Sequence, residues 1–437
     1  MEPLGVWVDR QYRHAASAMM LSISPLGLVK TRPGFGQSVV PVRGSIVASP
    51  VLASYDPDPD YFFHWYRDSA VVVDALRLLY EDGSAAAGAL AQFSDFVRFS
   101  LSLQHLDGRA LVATPAWRAQ VAPEFRKFLR TDDELACVHG EAVAAETRVN
   151  PDGTLDISGW PRPQNDGPAM RALTLLRWLR SARFDADLNA AVSMLLRADL
   201  AFTRNRWRTS CFDIWEEEKG LHYYTLRIAA AALEAGAAWL QEHGSAREAH
   251  QAGAEAEAIR RRLDGYWLAQ DGYYRSRVLE TGQRSSKELD IAVILATLHA
   301  CGDNGAHSVH DERMHATLAR LEALFDAVYP INHDRPPARA PAMGRYAGDV
   351  YYSGGAYYFS TLAAAEFCFR AALGSGVARA LIARGDAFLE AVRSFTPPSG
   401  DLSEQFDQRS GVQTSARHLA WSYAAFISCI AARRALV

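Results

Sequence analysis

Loops rich in charged and aromatic residues fall before alternate helices of this chain, and that rhythm restricts the fold more than any other feature. Ala-rich, amphipathic spacing predicts twelve helices. They lie at about Asp9–Leu21, Ala70–Tyr80, Ala85–Leu106, Ala169–Ala182, Asp185–Asn205, Tyr223–Glu242, Ala246–Ala269, Glu288–Ala300, Glu312–Val328, Tyr357–Leu373, Val377–Val392 and Thr414–Ala435. Motif-bearing loops precede the second, fourth, sixth, tenth and twelfth of these, and the loop before the eighth fits the same pattern. If consecutive helices are antiparallel, all these loops emerge on one side. Six helical hairpins closed in a ring then form an all-α (α/α)6 barrel, with the N-terminal ends of the inner helices around one funnel. The hairpins share no sequence self-similarity, so the repeat rests on pattern alone.

The rest of the chain is irregular in two places. Residues 24–60 mix Gly and Pro with β-branched runs at Ser38–Val42 and Ser45–Val51, which predicts loops with one or two short strands. Residues 107–165 are interrupted by Gly108, Pro115, Pro123, Pro151, Gly153, Gly159, Pro161 and Pro163. A stretch this long without regular structure reads as a lid or the wall of a site. No Pro/Gly/Ser-rich linker divides the chain, so residues 1–437 read as one domain.

Composition narrows the partners. A net charge of -4 leaves no basic stripe for nucleic acid. No apolar run is long enough for a membrane span. The start, MEPLGVWVDRQYRH, lacks a cationic segment followed by an apolar core, so no secretory signal is expected. The cysteines (Cys137, Cys211, Cys301, Cys368, Cys429) are odd in number and scattered, and read as reduced thiols of a cytoplasmic protein. The 13 His include no metal-ligand cluster, and no cofactor is expected. Oligomeric state is not written in these features.

The chemistry concentrates in Phe212–Glu218, FDIWEEE, where Trp215 sits between Asp213 and the run Glu216, Glu217, Glu218. Crowded carboxylates and a neighbouring indole both raise a carboxyl pKa, which suits a general acid. The competing reading is a helix N-terminus, where acidic residues meet the positive end of the dipole. A second carboxylate, Glu404, lies in Asp401–Asp407, DLSEQFD. Arg67 beside Asp68, and Arg345 near Asp349, offer a donor fork next to an acceptor pair, suited to the hydroxyls of a neutral sugar. Arg162 lies in Ser158–Pro168, SGWPRPQNDGP, where Asp166 reads as an N-cap. Such Arg–Asp neighbours also serve as ordinary caps and salt bridges. Tyr61, Trp65, Trp160, Trp215, Tyr351 and Tyr357 place aromatic rings in the same loops, where they form either core or stacking platforms.

Taken together and in order, DYFFHWYRDSA, SGWPRPQNDGPAMRA, FDIWEEE, GRYAGDVYYSGGAYYFSTLAAAE and DLSEQFDQRSG resemble the signature segments of the glucoamylase family, glycoside hydrolase family 15. The resemblance covers about Ser45 to Ala432. It implies an (α/α)6 barrel that removes glucose from the non-reducing ends of α-glucosides with inversion. By position it implies Glu216 as general acid and Glu404 as the base that activates water. Asp213 and Glu217 then support the acid and contact substrate. Arg67, Asp68 and Arg345 hold the terminal glucose, with Asp349 close by. Tyr61 faces that sugar, Trp160 lies over the acid, and Tyr351 orients the base or its water. Inversion requires room for that water, and so carboxyls roughly 6.5–9.5 Å apart.

The chain departs from the family pattern at His64, Pro161, Asn165, Ala356 and Tyr357. These positions are expected to flank the aglycone side and to bear on linkage preference. The expected substrates are short oligosaccharides of maltose or isomaltose type. A trehalase or glucosyltransferase on the same barrel, and a non-catalytic sugar-binding barrel, are the other readings.

Overall fold

Burial divides the helices into two kinds, and the division sets the architecture. In the helix Tyr358–Ala372 all residues but Arg370 are buried, whereas Ala246–Asp264 buries only Ala249, Ala252, Ala256, Ile259 and Leu263. The first must be surrounded by protein, and the second presents one stripe to it. In the computed structural model, which describes residues 2–54, 57–302 and 305–436, twelve helices of at least nine residues alternate between these roles. They are α1 (Leu4–Met20), α2 (Tyr66–Glu81), α3 (Ala86–Leu103), α4 (Asp166–Ser181), α5 (Ala186–Arg206), α6 (Tyr223–His243), α7 (Ala246–Asp264), α8 (Ala292–Ala300), α9 (Glu312–Val328), α10 (Tyr358–Ala372), α11 (Ala378–Phe395) and α12 (Ala420–Arg434).

The even-numbered helices form a closed inner ring. Neighbours pack in the order α2, α4, α6, α8, α10, α12, and α12 returns to α2. The odd-numbered helices lie outside. One apolar core runs through both layers, from Trp7 on α1 to Ile430 on α12. Small side chains let the inner helices approach. A Cβ on Gly167, at the start of α4, would lie 2.6 Å from Cβ of Tyr66 at the start of α2, so the close approach there requires glycine. No helix among the described residues is long and apolar enough to cross a membrane.

The structure departs from the sequence expectation mainly in the loops. The run 45–51 is not a strand; the pairing in that region is Lys30–Arg32 with Gln37–Val39. The interruption 107–165 holds short helical turns, including Gly108–Ala113 and Asp132–Ala136, and a strand at Arg148–Val149 that pairs with His64–Trp65. α2 begins earlier than periodicity suggests, so Arg67 and Asp68 stand in its first turn. α8 and α12 begin later. Residues 405–406 pair with 413–414, and this ladder delays α12 to Ala420.

The segment FDIWEEE is a hairpin turn, not a helix N-terminus. Cys211–Phe212 pairs with Lys219–His222, and α6 starts only at Tyr223. None of the six inner helices carries a side-chain N-cap, whereas the outer α5 and α9 are capped by Asp185 and Asp311. Loop carbonyls take the first N–H groups instead, as Thr147 does for Tyr66 and Glu404 for Tyr358, and the positive dipole ends collect at the N-terminal rim of the inner ring.

Candidate active site

At that rim the first turns of α2, α10 and α12 meet the loops before α2, α6, α10 and α12 around one narrow pocket of about 50 Å3. Of the residues singled out from sequence, Tyr61, Trp65, Arg67, Asp68, Trp215, Glu216, Arg345 and Glu404 line it. Glu216 comes from the 211–222 hairpin and Glu404 from the 401–407 loop, so two segments distant in sequence bring the two carboxyls to one cavity.

Glu216 sits on a left-handed backbone, φ 65°. That conformation costs a non-glycine residue about 1–2 kcal/mol. The surrounding turn enforces it: the Asp213 carboxylate accepts the backbone N–H groups of Glu217 and Glu218 at 2.7 and 3.3 Å, and Arg277 clamps the same carboxylate at 2.7 Å. The Glu216 carboxyl then meets two indoles. Trp65 Nε1 donates to Oε1 at 2.9 Å, and Trp160 Nε1 donates to Oε2. Arg67 lies 3.7 Å away and Arg148 stacks over the Trp160 ring, 3.7 Å from its centre.

Burial pushes the Glu216 carboxyl up, and Arg67, Arg148 and the Trp160 N–H hold it back. The crowding of carboxylates in FDIWEEE suggests that Glu217 shares in the rise. The structure corrects this: Glu217 turns away, accepting from Lys287 Nζ at 2.7 Å, Arg345 at 3.1 Å and Tyr346 at 2.7 Å. Its carboxylate is held on three sides by donors.

Glu404 is 9% exposed. Ser415 Oγ donates to its Oε2, and the Tyr61 hydroxyl lies 3.4 Å from Oε1. Tyr61 and Tyr351 share a 2.7 Å hydrogen bond. Burial pushes the Glu404 carboxyl up to about 7, with Ser415 and Arg345 opposing. Both carboxyls are thus raised by desolvation, and each is opposed by its own polar neighbours.

Arg67, Asp68 and Arg345 line the same pocket as the two carboxyls. Arg67 pairs with Asp68 at 3.1 Å and with Asp166 at 3.2 Å. Asp166 is therefore a partner of Arg67 and not the N-cap expected from sequence; α4 is preceded by Asn165, which makes no cap bond. Arg345 grips Asp349 through two bonds of 2.7 and 2.6 Å.

Several expected residues stand behind the pocket. Arg162 is committed to Glu146 at 2.7 Å and Asp156 at 3.0 Å, bracing the 107–165 segment. Tyr357 is fully buried and donates to Asp349 at 3.1 Å while accepting from Gln405 at 2.8 Å. Asp213, 1% exposed, shapes the turn. His64, expected near the aglycone, is buried against Phe99, and its Nδ1 accepts the Ile46 N–H at 3.0 Å. Asn165 is spent on Thr209, 3.2 Å away.

Two lining residues, Phe359 and Trp421, are not singled out by the sequence. Trp421 and Phe359 stack 4.6 Å apart, and Trp215 stacks on Phe359 at 5.9 Å, making an aromatic floor. Ser415 and Arg148 likewise act on the two carboxyls without a signature of their own. Position in the first turn of an inner helix is the signal that could have found Phe359 and Trp421.

Comparison with known proteins agrees with this geometry. The family model for glycosyl hydrolases family 15 matches residues 144–382 and 374–431. The chain is 26% identical over 471 residues to Glucoamylase 1 of Rhizopus oryzae, covering 97% of this chain and 70% of that protein. It is 27% identical to the probable glucoamylase of Schizosaccharomyces pombe, covering 98% and 92% respectively. In fold it is similar to the family 15 glucoamylase from Hypocrea jecorina, with a TM-score of 0.81 at 24% identity over 100% of this chain and 73% of that one. A similar likeness holds to the glucoamylase from Saccharomycopsis fibuligera, with a TM-score of 0.80 at 21% identity over 99% and 96%. The matched segments run over more than half of the chain, which therefore belongs to glycosyl hydrolases family 15 and is a glycoside hydrolase.

Proposed function

We propose that the chain is an exo-acting, inverting α-glucoside hydrolase that releases β-glucose from the non-reducing ends of short α-1,4- or α-1,6-linked gluco-oligosaccharides. The observation that carries this reading is the meeting of Glu216 and Glu404 in one pocket whose remaining polar walls are Arg67, Asp68 and Arg345. A terminal glucose fits such walls: guanidinium forks and carboxylates take its hydroxyls, and the floor of Trp215, Phe359 and Trp421 takes its apolar face. The narrow cavity supports cleavage from a chain end over cleavage within a chain.

In this reading Glu216 protonates the leaving oxygen and Glu404 removes a proton from the attacking water. Tyr61 and Tyr351 hold that water against Glu404. Asp349 and Glu217 fix Arg345 on the sugar, and Asp213 fixes the turn that presents Glu216. Trp160 and Trp65 hold the acid's carboxyl plane. All five cysteines are free thiols, which supports work in a reducing compartment such as the cytoplasm.

Proton NMR during hydrolysis of maltose, isomaltose and trehalose tests the assignment. β-Glucose is expected as the first product from maltose or isomaltose. α-Glucose appearing first would overturn inversion, and trehalose as the sole substrate would overturn the linkage assignment.

A further inference from the structure

On the flank of the barrel, away from the pocket, four arginines converge on a second cavity of about 380 Å3 between α4, α6 and the ends of α7 and α8. Two of them are already neutralised. Arg177 donates to Asp74 at 2.6 Å, and Arg260 pairs with Glu234 at 2.6 Å and Glu257 at 2.8 Å.

The other two have no such partner among the described residues. Arg227 is 8% exposed and has no carboxylate partner among the described residues; its Nε donates to the His307 carbonyl at a long 3.4 Å. Its Nη2 reaches Gly302, where a Cβ would lie 2.5 Å from it, so glycine makes room for the guanidinium. Arg180, in the exposed last turn of α4, likewise has no ion-pair partner among the described residues and lines the same cavity. A helix C-terminus tolerates such a cation. Burial of Arg227 without a counter-charge is costly, and it draws the guanidinium down from its ordinary range.

Two guanidinia without carboxylate partners among the described residues, facing one cavity, match a dianion, and their planar forks match phosphate oxygens in bidentate fashion. We propose that this cavity binds a phosphate group, held by Arg227 and Arg180, either as inorganic phosphate or as the phosphate of a sugar monoester. Beside Glu234, Cys301 and His307, the side chains of Leu173, Leu176 and Leu263 leave an apolar face for a sugar ring. The site is independent of the hydrolytic pocket and of its substrate.

Isothermal calorimetry and thermal unfolding of the full chain test this with three probes: inorganic phosphate, glucose 6-phosphate, and sodium chloride at matched ionic strength. Saturable binding and a rise in melting temperature are expected with both phosphates and not with chloride. Tighter binding of glucose 6-phosphate assigns the apolar wall to the ring, and equal binding assigns recognition to the phosphate alone. Arg180→Gln is expected to weaken binding about tenfold, the loss of a charge-assisted contact. Arg227→Met is expected to abolish binding and, with no phosphate present, to melt above the wild-type chain. Absence of saturable binding beyond the chloride control overturns the proposal. So does unchanged affinity in Arg180→Gln, an exposed substitution that leaves the fold intact.

Discussion

The Tyr61 and Tyr351 hydroxyls lie 2.7 Å apart, and the Tyr61 oxygen stands 3.4 Å from Oε1 of Glu404. Burial raises both phenols well above their ordinary value, so they remain neutral donors through the working pH range. They form a relay of hydroxyls beside the base, where an attacking water needs fixed partners. Tyr351→Phe keeps the ring and removes one member of that relay. The Tyr351 hydroxyl bonds the neutral Tyr61 hydroxyl, and such a bond contributes about 0.5–1.5 kcal/mol, so kcat is expected to fall roughly 2- to 10-fold. KM for maltose is expected to change little, because the relay faces the water. Steady-state kinetics check the split.

Glu216→Gln and Glu404→Gln remove the proton donor and the proton acceptor while keeping shape. Each is expected to lower kcat at least about 10²- to 10⁴-fold, the usual share of general acid–base catalysis. Circular dichroism is expected to stay that of the parent. A Glu404→Gln enzyme within a factor of two of the parent would move the base elsewhere.

Glu404 also links stability to pH. Its carboxyl rises from an ordinary 4.5 to about 7 in the folded chain. Between those values the folded state holds a proton that the unfolded state releases. Stability therefore falls as pH climbs from about 4.5 to about 7, by on the order of 3 kcal/mol in all. Glu404→Gln stays neutral throughout and is expected to be the more stable protein at pH 8, with near equality at pH 4.5. Urea titrations at the two pH values measure this.

The barrel was legible because apolar periodicity counts helices well, and because motif loops before alternate helices reveal which layer is inner. The pocket was legible where charge and aromaticity coincide, as at Arg67, Asp68 and Glu216. What sequence concealed was direction. Arg162 has the same local chemistry as Arg67, yet Glu146 and Asp156 draw it into the wall of the 107–165 segment. Tyr357 looks like a rim aromatic, yet the ladder between 356–357 and 405–406 turns it inward to Asp349. The FDIWEEE acids suggest a helix start, yet the hairpin pairing of 211–212 with 219–220 forces a left-handed residue at Glu216. Trp421 hides in an apolar run because a pocket floor and a core share one composition.

Ser415 tunes the acidic limb of activity. The working form needs Glu404 ionised, so kcat/KM is expected to decline as pH drops below about 7. The Ser415 hydroxyl donates to the Glu404 carboxylate and lowers its pKa. Ser415→Ala removes that donor, and the acidic limb is expected to move to higher pH.

Arg148 acts on the other carboxyl without touching it. Its guanidinium lies 4.0 Å from the centre of the Phe63 ring, 4.8 Å from that of Trp65 and 3.7 Å from that of Trp160. Two of those three rings donate to Glu216. The cation lowers the Glu216 pKa, and its plane fixes the indoles that hold the carboxyl. Arg148→Met removes the charge, so Glu216 is expected to keep its proton to higher pH and the basic limb of kcat/KM to shift upward. Arg148→Lys keeps a charge but loses the flat stacking surface and the paired bonds to Asp156 and Ser158. It is expected to leave the basic limb nearly in place while kcat falls through looser indoles. A basic limb that moved equally in both variants would mean that stacking, and not charge, sets the acid's pKa.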